Sequence, residues 1–299
     1  MSTPKTAPSG VPGRANLSPA TRLGPVHLVV TDLDRSSGFY KDAIGLKEHR
    51  RENGVAALGT GGEDLLVLHE EPTAAPAAGA HAGLYHFALL HPSRLELARA
   101  ARRLAATGTR IQGASDHLFS EAIYLPDPDG NGIELYADRP RDQWPEPLVA
   151  LPPGGPLPLD LQGLLELAPN GDSRAPADPG LVVGHIHLHV GGLDDALGFY
   201  RDVIGFEQTI LTPSAAFVSA GGYHHHLGLN IWRGQGAGAA PAGTVGLRRW
   251  TVLLPDQTEV RRVRARVEGA GLGHEEHAGG FVVPDPWGIP LVMASAVAP

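Results

Sequence analysis

GPVHLVVTDLDRSSGFYKDAIGL at residues 24–46 returns as GHIHLHVGGLDDALGFYRDVIGF at residues 184–206. His27 and Tyr40 of the first copy stand where His187 and Tyr200 stand in the second. An internal repeat of this kind has to be read before any fold is assigned. A second pair matches GLYHFALLHPSRLELARAARRLAATG at 83–108 with GLRRWTVLLPDQTEVRRVRARVEGAG at 246–271. Each of these closes on a strand after an Asp-Pro turn, LPDPDGNGIELYA and VPDPWGIPLVMA. Four modules in two pairs follow. Each opens on an alternating β-branched strand (VHLVV, YHFALL, HIHLHV, RWTVLL). An amphipathic helix comes next; in the second module Leu97, Ala101 and Leu104 recur at helical spacing before Gly108. Short strands split by Gly and Asp turns complete the unit. This grammar predicts an α+β fold of four βαβββ modules. A single module leaves one sheet face bare, so the modules are expected to pair into two cupped, incomplete-barrel domains.

The chain has 299 residues, which suggests two domains at roughly 150 residues each. Residues 1–22, rich in Pro, Ser, Ala and Gly, are expected to be disordered. Residues 23–140 and 181–299 form the two expected domains, each long enough to bury a core. Between them, 141–180 reads as a Pro-rich linker carrying one short helix in LDLQGLLEL. There is no cysteine, which excludes disulfides, thiolate metal sites and a cysteine nucleophile. The 24 basic against 32 acidic residues give a net charge of −8. Without a basic run, that balance argues against nucleic acid or an anionic membrane as partner. No apolar stretch approaches the ~18 residues of a membrane span, and the first 22 residues lack the apolar centre of a secretory signal. A soluble cytoplasmic protein is expected, and homo-oligomerisation is compatible with the sequence. Its unusual feature is 15 histidines.

Three ionisable residues of the first half sit in strands that should be apolar. His27 shares a face with Val29, while Val26, Leu28 and Val30 face the other way. His86 shares its face with Ala88, which leaves room beside it, and Glu134 lies between Ile133 and Leu135. A buried carboxylate costs several kcal/mol unless paired, and a divalent cation pairs it while also using two neutral imidazoles. Two His and one carboxylate make the facial triad of non-haem Fe(II) oxygenases.

The segment before Glu134 runs from His117 through Ile123, Tyr124, Asp127, Pro128 and Gly130. It resembles the signature of type I extradiol ring-cleavage dioxygenases of the vicinal oxygen chelate superfamily. Ser115 departs from the residues usual two places before the His. The four modules extend the likeness, to catechol-2,3-dioxygenase-like proteins, over nearly the whole chain. The resemblance implies His27, His86 and Glu134 as metal ligands, with Fe(II) the expected ion and Mn(II) or Zn(II) as alternatives. His117 and Tyr124 are implied as catalytic groups beside the substrate oxygens, while Asp127, Pro128 and Gly130 read as turn residues. The substrates implied are a small aromatic diol and O2.

The second half departs from that pattern, having Arg249 at the position of His86 and Val292 at that of Glu134. It is therefore expected to have lost its metal. It does carry His224, His225 and His226, at the strand start where such dioxygenases place a base. The triplet is expected to be a vestige or structural, with a weak metal site with His185, His187 and His189, or a surface cluster, as the alternatives. Two other functions fit the scaffold. One is a glyoxalase-type metal-dependent lyase or isomerase, with His69 or Glu70 as fourth ligand. The other is a metal-free protein that binds aromatic drugs.

Overall fold

The computed structural model describes residues 16–76, 79–146, 155–169 and 175–297. The four modules are present. The first has β1 (Arg22–Val30), α1 (Leu33–Phe39) continuing into a π-turn at Tyr40–Ile44, β2 (Lys47–Glu52), β3 (Val55–Gly59) and β4 (Asp64–Glu70). The second has β5 (Gly83–Leu90), α2 (Arg94–Ala106), β6 (Gly113–Asp116), β7 (Ser120–Pro126) and β8 (Gly132–Asp138). In the connection lie β9 (Leu157–Pro158) and α3 (Leu161–Glu166). The third module has β10 (Val182–His189), α4 (Leu193–Leu197) with a π-turn at Gly198–Ile204, β11 (Glu207–Leu211), β12 (Ala215–Ser219) and β13 (Leu227–Asn230). The fourth has β14 (Gly246–Leu254), α5 (Gln257–Gly269), β15 (Glu275–His277), β16 (Gly280–Pro284) and β17 (Pro290–Ser295).

Sheet pairing does not follow the expected division at 140/181. The 8-stranded sheet has the order β15-β16-β17-β14-β1-β4-β3-β2 and joins the first module to the fourth. The 9-stranded sheet, β11-β12-β13-β10-β5-β8-β7-β6-β9, joins the second to the third. Each cup is thus shared between the two halves of the chain. The seams are antiparallel, β1 against β14 and β10 against β5.

Helices, by contrast, hold sequential modules together. Ser93 caps α2 by accepting from the Glu96 amide, the S-x-x-E start of a helix. The buried Arg103 guanidinium then donates to the carbonyls of Ala43 and Ile44 in the first module's π-turn. Arg266 of α5 repeats this against Val203 and Ile204. These carbonyls would otherwise lack partners at a helix end. The expected turn residue Asp127 is indeed structural: it accepts from the amides of Asp129 and Asn131 and from the Tyr40 hydroxyl. Asp285 and Tyr200 repeat the bond.

Strand alternation decides what faces the core. Val26, Leu28 and Val30 of β1, with Ile186, Leu188 and Val190 of and after β10, are buried in one hydrophobic cluster that spans both sheets. His27, His185, His187 and His189 therefore face the concave sides.

The ends differ from expectation. Residues 1–15 of the segment expected to be disordered lie outside the described residues, but Leu17 is buried and its amide donates to Gly205. In the linker, the expected helix is α3, capped by Asp160. It packs beside α2, where Arg102 donates to the Leu165 carbonyl, while β9 extends the second sheet by pairing with β6.

Candidate metal centre

The second sheet brings a row of residues together across four strands. Tyr124 of β7 is opposite Glu134 of β8, Glu134 is opposite Ala88 of β5, and Ala88 is opposite His185 of β10. His86 lies two residues before Ala88, on the same face. Ala88 carries only a methyl group, so the three flanking side chains converge above it. The Nε2 atoms of His86 and His185 lie 2.9 and 3.0 Å from the same Glu134 oxygen, Oε2. One ligand atom from each of the three residues lies within 4.8 Å of the others, and all three are buried.

The chemistry of this set fits a divalent cation. Burial pushes the Glu134 carboxyl up, but His185 and His86 outweigh it and hold the group well below the usual carboxylate range. Burial, opposed by Glu134, lowers His185 to about 4, leaving a neutral imidazole as a ligand requires. The Nε2 of His86 is buried without a well-directed hydrogen bond. A metal ion would satisfy both imidazoles and the carboxylate at once.

His27 is not in this group, which corrects the expected ligand set. It lies on β1 in the other sheet, where its Nδ1 is 2.9 Å from His69 Nε2 and its backbone faces Arg249. Registers explain the difference. His27 is opposite Arg249 as His187 is opposite His86, so the counterpart of His27 is His187. His185, which does lie in the group, has Pro25 as its counterpart in the repeat. The missed signal was the period-two histidine run of β10, whose alternation puts His185, His187 and His189 on one face. His69 and Glu70, considered as a fourth ligand, also lie in the first sheet, and Glu70 accepts from the Leu33 amide.

A cavity of 510 Å³ opens over the group, lined among others by His117, Tyr124, His187, His225, Phe217 and Trp232. Its apolar walls and few convergent polar groups are those of a small-molecule site. His117 follows β6 in a tight turn. Its amide donates to the Ser120 carbonyl, and Leu118 takes the left-handed conformation at φ 69, a costly geometry for a branched residue. The turn aims the imidazole inward, with Nε2 2.8 Å from the Tyr124 hydroxyl. Burial, reinforced by the Glu134 charge, raises Tyr124 well above the usual phenol value, and burial lowers His117.

The triplet 224–226 is neither a surface cluster nor part of a strand. It precedes β13, and all three histidines are at least partly buried. Asp138 Oδ1 is 2.9 Å from His224 Nε2, and His224 Nδ1 is 2.8 Å from His225 Nδ1. Since the carboxylate only accepts, His224 donates at Nε2 and in its neutral form accepts at Nδ1. His225 must then donate at Nδ1, which leaves the lone pair on its Nε2. Phe119 stacks on His224 with ring centroids 4.5 Å apart. A further cavity of 430 Å³, lined by His81, Arg233 and Trp287 among others, holds none of this group.

Sequence comparison fits this architecture. The chain is 45% identical over 271 residues to a catechol-2,3-dioxygenase of Bacillus subtilis (strain 168), covering 89% of this chain and 94% of that protein. The model of the Glyoxalase/Bleomycin resistance protein/Dioxygenase superfamily matches residues 22–135. The chain belongs to that superfamily. Among solved structures, glyoxalase I from Zea mays aligns with a TM-score of 0.58 at 18% identity, covering 92% of each chain. A Bacillus subtilis strain 168 protein provisionally called a dioxygenase aligns with a TM-score of 0.67 at 12% identity, covering 94% of this chain and 86% of that one. At those identities the superfamily fold is what is shared. No helix among the described residues is long and apolar enough to cross a membrane.

Proposed function

We propose that the protein is an Fe(II)-dependent extradiol dioxygenase that cleaves a catechol-type aromatic diol with O2. The observation that carries this is the convergence of His86, Glu134 and His185 beneath a cavity with aromatic walls. The 45% identity to the Bacillus subtilis catechol-2,3-dioxygenase supports it. Two neutral imidazoles and one carboxylate sum to minus one, so a ferrous ion leaves the centre at plus one and favours a bound catecholate monoanion. When bound there, ferrous iron supplies Lewis acidity and one-electron redox chemistry. In the reaction a ring C–C bond beside the diol breaks, and both atoms of O2 remain in the product.

The chain's own residues bind, orient and move protons. Phe217, Trp232 and Ile210 wall the cavity and hold an aromatic ring against water. The free lone pair of His225 Nε2, fixed by the Asp138–His224 chain, takes a hydroxyl proton from the diol. His117 and Tyr124, already hydrogen-bonded to each other, stand beside the ligand group. Tyr124 stays a neutral phenol and donates to a substrate oxygen, while His117 returns a proton as the ring opens.

Metal analysis of protein purified without oxygen, followed by oxygen uptake across a panel of catechols, tests the proposal. Stoichiometric iron with consumption of one O2 per diol is expected. Zinc with hemithioacetal isomerisation and no oxygen uptake would establish the glyoxalase-type reading instead.

A further inference from the structure

The first sheet builds a second cup by the same rules, and its centre carries a cation where the second cup carries the ligand group. The repeat puts Pro25 at the place of His185, and the registers put Arg249 and Val292 at those of His86 and Glu134. Arg249 makes no hydrogen bond or ion pair among the described residues, and its Nε is buried without a partner. The buried Arg103 and the half-buried Arg266, by contrast, each donate to backbone carbonyls. No carboxylate is among the charges acting on Arg249; the neighbouring charge is Arg248, itself paired with Glu71. Directly opposite Arg249 is His27, whose Nδ1 is bonded to His69 Nε2. Beside them, paired residues on the same face are small and apolar: Ala57, Val67 and Val292, with Thr251 two places beyond Arg249.

We propose that this first cup is a binding site for a small organic carboxylate, held by the Arg249 guanidinium with His27 as second donor. An unpaired, partly desolvated guanidinium is matched by a planar carboxylate accepting two parallel N–H bonds. The His27–His69 pair has one proton between its facing nitrogens. An anion beside Arg249 selects the tautomer in which His69 donates to His27 Nδ1 and His27 Nε2–H points to the anion. The apolar residues beside the cation favour a carboxylate with an apolar body over an inorganic oxyanion. The site is separate from the metal centre and does not depend on the reaction proposed there.

Benzoate is the probe, titrated calorimetrically into the full-length protein, with neutral benzamide as the isosteric control. Saturable binding of one benzoate and none of benzamide is expected. Arg249→Met should weaken binding by about tenfold or more, the loss of a charge-assisted pair. Arg249→Lys, which keeps the charge and guards against misfolding of the Met variant, should retain part of it. His185→Ala, which disables the other cup, should leave benzoate affinity unchanged. Equal affinity in wild type and Arg249→Met overturns the proposal. So does loss of binding in His185→Ala, which would place the anion on the metal, and so does a wild type that binds no benzoate.

Discussion

Replacing His185 by Ala and, separately, His27 by Ala separates the geometry of the metal group from the pattern of the repeat. His185 contributes one of three converging nitrogen and oxygen atoms and is 1% exposed. Losing even an outer hydrogen-bond partner of a ligand typically lowers metal affinity about 10–100-fold. Removing a ligand itself should therefore cost at least about 100-fold, or ~2.7 kcal/mol. In the metal-free protein the same change strips Glu134, 3% exposed, of one of its two imidazole partners. Breaking a buried pair outright costs about 3–5 kcal/mol; since His86 remains 2.9 Å away, the loss should fall below that range. His27→Ala removes a neutral contact to His69 worth about 1 kcal/mol and touches no ligand. Metal content after anaerobic loading with ferrous iron and challenge by a chelator is the assay. His185→Ala should emerge depleted and His27→Ala loaded like wild type. Depletion of both, or of His27→Ala alone, would refute the reasoning.

Three other outcomes follow from the structure. His225→Ala, His117→Ala and Tyr124→Phe should each lower turnover, by about 10²-fold for an acid–base group, while iron occupancy stays near wild type; loss of iron in any of them would make that residue a ligand. His91 is fully buried with neither ring nitrogen hydrogen-bonded, and burial, aided by Arg103, lowers it to about 3. Its folded value lies below its unfolded one, so the unfolded state binds the extra proton, and the stability present above pH 6.5 is lost as pH falls toward 3. Urea unfolding at pH 7 and at pH 5 should show His91→Leu removing about 1.9 kcal/mol of the wild-type loss of stability between them; an unchanged loss would contradict it. Finally, a chelator should lower the unfolding midpoint of iron-loaded protein, by about 2.7 kcal/mol when free metal had stood at a hundred times its Kd, whereas Glu134→Gln should show no such shift.

Much of the fold was legible because local pattern and global fold agree in each module. The alternation in VHLVV, the capped helix at 94–106 and the Asp-Pro turns appear where the periodicity puts them. That His117, Tyr124, His86 and Glu134 line one cavity was also legible, since a single module carries all four and their strand alternation puts them on one face. Module pairing was not legible. Both β1 and β10 offer an apolar face to the core and histidines to the cup, so either could close the sheet beside β5. Edge choice depends on contacts between distant strands, which periodicity does not encode. The short 2-residue strand β9 was hidden for a related reason: the Pro-rich composition of its neighbourhood reads as linker, and only its pairing with β6 makes it a strand.

The error over His27 shows where discriminating information did lie. A ligand from a first strand has to occupy the row of Ala88 and Glu134, and in the antiparallel seam that row is set two residues away from the His27/His187 position. Pro25 occupies it in the first module and has no donor atom; His185 occupies it in the third. A pairing of the first module with the second could therefore never have completed the ligand group, whatever the match between His27 and His187. Only the crosswise pairing brings three candidate ligands together, and it draws two from the first half of the chain and one from the second. A metal ion bound there would stabilise the β5–β10 seam directly, because it would be held from both sides of it. In the other sheet the equivalent seam, β1–β14, places Arg249 opposite His27 and offers no such ligand group, so a metal ion cannot bridge it. One architecture thus contains one seam that a metal can tighten and one that it cannot, and the difference is carried by Pro25, Arg249 and Val292.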